Sequence, residues 1–187
     1  MNQVIQLDRR LFQLVNQQWS NDFFDRLMPF IRNQNTWLPL YIFLLVFALI
    51  NFNKQKWWWI VYTAALTGLS DFISSSIIKP NIFRLRPCND PSLVDTIRVL
   101  VTYRPLSSSF TSSHAMNHFA MAAFFYFTLE KYTGKPALLF FVWAFSVCYA
   151  QVYIGVHFPL DVFCGGLIGF VFGYLSARLF NKNHQLL

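Results

Sequence analysis

The chain has 187 residues, of which 55% are hydrophobic and only 12% charged, with 22 Phe and 6 Trp; a water-soluble domain carries about a quarter charged residues, and a single domain of this size cannot bury so much apolar surface in its own core, so the remainder must face lipid. The formal charge is +7 with a pI near 9.5, yet the basic residues fall between apolar runs rather than along one polar face, which argues against nucleic acid and for an anionic headgroup or phosphate as partner. Cys88, Cys148 and Cys164 have no CxxC spacing, so neither a zinc site nor a disulfide framework is indicated.

Residues 1–36 come first. Leu7, Leu11, Phe12, Leu14, Val15 and Trp19 have helical apolar spacing, with Asp8, Arg9, Arg10 and Gln13 on other faces. This predicts an amphipathic helix, lying either in the membrane interface or against the bundle. A second short helix is expected around Phe23, Phe24, Leu27, Met28 and Phe30. Met1 to Arg10 is polar and no early apolar core follows, so no cleavable signal is expected.

A membrane span needs about 20 apolar residues. Five segments qualify or nearly so: 37–52, 57–79, 113–129, 136–154 and 160–180. Trp57, Trp58 and Trp59 have the character of an interfacial anchor. Gly165, Gly166, Gly169 and Gly173 include G-x-x-x-G spacing, which serves close helix contact within one bundle or between two copies. The expected fold is an all-α integral membrane helical bundle. It forms one domain over 1–187, with about five transmembrane helices and an N-terminal interfacial amphipathic helix.

One long polar loop, residues 80–112, interrupts the spans, and loops of that length are usually functional. Five crossings put it on the same side as the short 155–159 loop. Lys54, Lys56, Lys131, Lys135, Arg178 and Lys182 mark the opposite side as cytoplasmic. Arg9, Arg10, Arg26, Arg32, Lys79, Arg84, Arg86, Arg98 and Arg104 lie on the loop's own side, against the raw charge count. Several of these are read as cations of an anion site. The expected location is therefore the cell (inner) membrane, multi-pass, with the site on the outer, periplasmic face.

Three polar clusters stand against the apolar background. Lys79 to Pro87 puts Lys79, Arg84 and Arg86 at the end of a span. Ser107 to His114 puts hydroxyls at the start of the next, where a helix N-terminus receives anions. Val156 to Asp161 puts His157 and Asp161 at the mouth of the last. Snorkelling, capping and interfacial placement account for each cluster alone. Together they bring Lys79, Arg86, Ser112, His114, His157 and Asp161 to one membrane face, and ionisable groups at membrane depth are costly enough to suggest function. Cations and backbone N–H groups suit a phosphate. Two histidines suit a nucleophile and a general acid, and an Asp beside a His fixes its tautomer. A metal is not expected: the cations would repel it, and HxxxH spacing occurs only at His114 and His118.

These residues resemble the type 2 phosphatidic-acid phosphatase family, whose signature is K-x6-RP, PSGH and SR-x5-H-x3-D. Lys79, Arg86 and Pro87 match the first motif in full. Thr111-Ser112-Ser113-His114 stands in place of the second. Ala150-Gln151 replaces Ser-Arg in the third, with His157 and Asp161 in register. The resemblance covers roughly residues 37–180. It implies that His157 attacks phosphorus, Asp161 orients His157 and His114 protonates the leaving oxygen. It also implies that Lys79, Arg86 and Ser112 bind phosphate, with the Ser113 backbone N–H in the usual glycine's place and Gln151 where an arginine is usual. No cofactor or metal is implied. The implied partners are membrane lipids and a lipid phosphate substrate, with undecaprenyl diphosphate first and lipid A phosphate or phosphatidylglycerol phosphate as alternatives. A non-catalytic lipid-phosphate binder or carrier is the competing class, because Gln151 cannot supply an arginine's charge or bidentate fork. Arg104 is the first candidate to replace it, followed by Arg84 and Arg98.

Overall fold

A computed structural model of the chain describes residues 3–184 and Leu186. Regular structure among the described residues is helical throughout. Helix α1 covers Gln3–Gln13 and runs into a π-helical turn, Leu14–Gln18; α2 covers Asp22–Arg32. Helix α3 is Leu38–Asn51, and α4 is Lys56–Phe72, continued by a π-helical segment, Ile73–Ile78, and the short α5, Lys79–Asn81. Helices α6 (Ser113–Thr133), α7 (Leu139–Tyr153) and α8 (Pro159–His184) complete the bundle.

Four helical segments are long and apolar enough to cross a membrane: Gln34–Asn51, Asn53–Asn81, Lys135–Tyr153 and Pro159–His184. The remaining expected crossing, α6, has 21 residues, or roughly 30 Å at the helical rise. It is less apolar because it carries Ser113, His114, Asn117, His118, Glu130 and Lys131. Its position explains the difference. Helix α6 packs against α4, α7 and α8 and buries Ala115, Met116, Ala120, Ala122, Ala123 and Phe124, so it meets protein where its neighbours meet lipid.

The glycine stripe is used inside the chain. A Cβ on Gly169 would lie 2.1 Å from the Met116 carbonyl oxygen, and one on Gly173 would lie 2.2 Å from that of Ala120. The backbones of α6 and α8 therefore touch where the side chains are smallest. The far end of the bundle is filled by aromatic packing, with Trp59 stacked on Phe125 at 5.2 Å and its indole N–H donating to Thr128 Oγ1 at 3.0 Å.

The N-terminal helices pack against the bundle. Helix α1 turns Asp8 and Phe12 inward, and the π-helical turn buries Asn16, while Leu7 and Leu11 stay exposed. Phe12 meets Phe158 edge-on at 5.3 Å. The helix is packed on the bundle and leaves Val4, Leu7 and Leu11 exposed on its outer face. Ion pairs then tie these helices to the 80–112 loop: Arg9 to Asp90 at 2.7 Å, and Arg98 to Asp25. The Asn16 amide donates to the Arg98 carbonyl at 2.8 Å and to the Tyr153 carbonyl at 2.7 Å. Residues 1–36 and the loop thus form a cap over one end of the bundle.

Candidate active site

His157 sits on the five-residue connection between α7 and α8. Gly155 turns the chain at φ +87°, and a Cβ there would lie 2.5 Å from the Arg98 carbonyl oxygen, so only glycine fits. The N–H groups of Val156 and His157 both donate to the Gln151 carbonyl at 3.3 Å. Pro159 then starts α8 with the fixed φ that a first helical position favours.

The result is a ring with 2% exposure held from two sides. Arg86 Nη1 lies 3.0 Å from His157 Nε2. A guanidinium has donors only, so Nε2 must carry the lone pair and Nδ1 the proton. Nδ1 faces Ser109 Oγ at 3.4 Å and Asp161 Oδ2 at 3.8 Å. The Ser109 hydroxyl donates to Asp161 Oδ2 at 2.5 Å and thus lies between ring and carboxylate. Asp161 is saturated: the Phe158 N–H reaches Oδ2 at 3.0 Å and Arg84 Nη1 reaches Oδ1 at 2.5 Å. Arg84 also pairs with Asp8, whose Oδ1 accepts from the Leu160 N–H at 2.8 Å, so α1 is fastened to the mouth of α8.

The electrostatics separate two kinds of arginine. Burial would lower the Arg84 pKa, but Asp161 and Asp8 outweigh it and raise it. Arg86 is 5% exposed, and its hydrogen bonds go to the Ser107 and Ser108 carbonyls, the Ser107 hydroxyl, the Val156 carbonyl and His157. Burial pushes the Arg86 pKa down; Cys88 and Asp161 oppose that, and Arg32 adds to it. A buried cation bound only by neutral groups is costly unless an anion joins it. Burial also lowers the His157 pKa to about 4, against the pull of Asp161 and with a further push from Arg86.

Lys79 arrives from the other side of the site. The π-helical segment before it is a geometry that recurs at functional positions, and it buries Ser74. Lys79 Nζ donates to Ser113 Oγ at 2.7 Å, and Ser74 Oγ lies 2.8 Å from the same atom. The Ser113 hydroxyl, present where the resembling family has glycine, is thereby absorbed into a polar contact with the cation. Ser112 caps α6, accepting weakly from the Ala115 N–H at 3.4 Å, and its own N–H donates to the Asp161 carbonyl at 3.1 Å. His114, in the first turn of α6, lines an open cleft of about 450 Å³ together with Arg32 and Tyr103.

Two expected residues are placed differently. Arg104 is exposed and its guanidinium donates to the Cys88 carbonyl at 3.0 Å; its nearness in sequence to the serine run does not carry it to Gln151. Gln151 is fully buried, and neither amide atom has a hydrogen-bond partner among the described residues. Sequence reasoning missed Ser109, Asp8 and the double pairing of Arg84. Ser109 was visible only as one of a run of serines. Asp8 belongs by its spacing to the polar face of α1, and local pattern does not show that this face turns inward. Among the described residues, no group of three or more His, Cys, Asp or Glu comes together as metal ligands would.

Comparison with known proteins places the chain among relatives. The chain is 30% identical over 162 residues to the lipid A 4'-phosphatase of Bacteroides thetaiotaomicron, covering 86% of this chain and 71% of that one. It is 28% identical over 174 residues to an undecaprenyl-diphosphatase of Sulfolobus acidocaldarius, covering 90% and 76%. The crystal structure of Aquifex aeolicus LpxE superposes with a TM-score of 0.66 at 28% identity, over 92% of this chain and 95% of that one. The sequence profile of the PAP2 superfamily matches residues 56–185, and the chain belongs to that superfamily as a membrane-embedded lipid phosphatase.

Proposed function

We propose that the chain hydrolyses a lipid phosphate through a phosphohistidine formed on His157. The observation that carries this is the direction of the His157 lone pair. Arg86 donates to Nε2, so the nucleophilic nitrogen points at a buried cation that has no carboxylate among its hydrogen-bond partners. A phosphoryl group entering there meets the nucleophile and its counter-charge together.

The steps balance as follows. The Arg86 N–H moves from the Nε2 lone pair to a phosphoryl oxygen, and His157 Nε2 attacks phosphorus while the bond from phosphorus to the lipid oxygen breaks. The leaving oxygen keeps the electron pair and takes a proton from His114. Water then attacks phosphorus, gives its proton to His114, and the P–N bond breaks to release inorganic phosphate and neutral His157. Asp161, through Ser109 and directly, stabilises the Nδ1–H as positive charge develops on the ring. Arg86 and Lys79 neutralise the phosphoryl oxygens.

The substrate we favour is a phosphomonoester on a lipid A-type glycolipid, following the relative of that name. The second reading is a polyprenyl diphosphate, which the Sulfolobus relative supports. Purified protein in mixed micelles with lipid A, undecaprenyl diphosphate and phosphatidic acid should release phosphate fastest from lipid A. Fastest release from the diphosphate would select the second reading. No release from any of them would favour a binder or carrier instead.

The site is proposed to face away from the cytoplasm. Many cations on that side are occupied: Arg9, Arg84 and Arg98 by carboxylates, and Lys79 and Arg86 within the site. The lysines of the opposite end then weigh as the cytoplasmic signal. Asp95→Cys in a background without the native cysteines should react with an impermeant thiol reagent in intact cells. Labelling only after lysis would reverse the topology.

A further inference from the structure

Lys79, at the end of the α4–α5 segment, and Arg86, in the 80–112 loop, are the two cations of the proposed phosphoryl site, and the Gln151 amide is buried without a partner among the described residues. Phosphoryl transfer spreads charge over three equatorial oxygens, and catalysis rests largely on the groups that neutralise it. Most other arginines at this end are engaged. Arg84 bridges Asp8 and Asp161, Arg98 pairs with Asp25, Arg9 pairs with Asp90, and Arg104 is turned to the Cys88 carbonyl.

Arg32 differs from these. It is the last residue of α2 and lines the same cleft as His114. It forms no ion pair among the described residues. Nη2 reaches the Tyr103 hydroxyl at a long 3.3 Å, and its guanidinium carbon lies 5.8 Å from the centre of that ring. Its Nε is buried with no partner among the described residues. A half-buried guanidinium that no carboxylate holds among the described residues, lining the same cleft as a histidine, can receive oxyanion oxygens through its Nη groups.

We infer that Arg32, supplied by the N-terminal cap rather than by a membrane span, is the third cation that binds the reacting phosphoryl group, together with Lys79 and Arg86. This rests on the phosphatase reading above. It gives the cap a chemical part in the reaction: α2 is held by Arg98–Asp25 and by the Tyr153 hydroxyl donating to Asp25 Oδ1 at 2.7 Å, and those contacts fix where Arg32 ends.

The test uses the full chain with a lipid phosphate substrate, and with inorganic phosphate as a soluble competitor that lacks any lipid. Arg32→Gln, close in length but uncharged, should lower kcat/KM about tenfold or more, the size of a lost charge-assisted hydrogen bond. It should also raise the inhibition constant for inorganic phosphate by a similar factor, with Arg32→Lys intermediate in both. Gln151→Arg in the Arg32→Gln background should recover part of the loss. A loss for the lipid substrate with unchanged phosphate inhibition would assign Arg32 to the lipid headgroup or to cap stability, and would overturn the proposal. Unchanged values for both would overturn it as well. An inactive parent chain would instead refute the phosphatase reading.

Discussion

His157 and His114, both assigned to the proposed site, stand in unlike surroundings. His157 is enclosed: Arg86 fixes its Nε2, Ser109 and Asp161 face its Nδ1, and a glycine turn and a proline-initiated helix hold its backbone. His114 rides on the first turn of α6 beside an open cleft. The difference matches the demands of the two proposed roles. A nucleophile must be aimed before substrate arrives, because misalignment costs rate steeply. A proton donor must meet a leaving oxygen whose position the substrate itself sets, and its contribution varies with the leaving group. The same contrast separates the arginines: Arg84 is neutralised by Asp8 and Asp161, whereas Arg86 and Arg32 have no carboxylate partner among the described residues.

The comparison can be broken from the enclosed side. Asp161→Asn keeps the shape but loses the charge that favours the Nδ1–H tautomer and the ring's positive charge, and it leaves Arg84 and Asp8 with one carboxylate between them. By analogy with other carboxylate–histidine pairs, kcat should fall about 10³–10⁴-fold. Ser109→Ala removes only the hydroxyl between ring and carboxylate, and about tenfold is expected. Equal losses for the two variants, measured as phosphate release, would show that the relay geometry is wrong.

A smaller effect tests the burial itself. The His157 pKa lies below that of an ordinary histidine, at about 4. Its neutral form is the one the fold favours. That contribution to stability is fully present above the ordinary histidine value of about 6.5 and is lost as pH falls toward 4. The nucleophile stays unprotonated over the same range, so the acid limb of kcat/KM in the free enzyme should fall well below pH 6. An acid limb at or above pH 6.5 would indicate a solvated ring.

Much of this was legible in the sequence, for identifiable reasons. The spans follow from apolar runs, and the three clusters follow from polar residues that lipid would otherwise exclude. Lys79, Arg86, His157 and Asp161 could be grouped because each stands at a span's end on the same side. Other features depend on geometry that local pattern does not encode. The inward turn of Asp8 reverses the expected amphipathic logic of α1, because a buried ion pair with Arg84 outweighs the preference for solvent. The π-helical segment Ile73–Ile78 changes the phase of a helix with no glycine or proline inside it, although Pro80 follows two residues on and cannot donate to the Ser76 carbonyl. Arg104 is near the serine run in sequence and donates to the Cys88 carbonyl, whereas Arg32, 82 positions before His114, reaches the cleft through the packing of α2.

The central claim is that phosphorus is transferred to His157. Brief incubation with a lipid phosphate labelled in its phosphoryl group, followed by alkaline quench and peptide mass spectrometry, tests it directly. An acid-labile phosphate on His157 is expected. It should be absent in His157→Ala and retained in His114→Ala when a good leaving group is used, since proton donation matters least there. Full turnover by His157→Ala, or label on any other residue, would contradict the account.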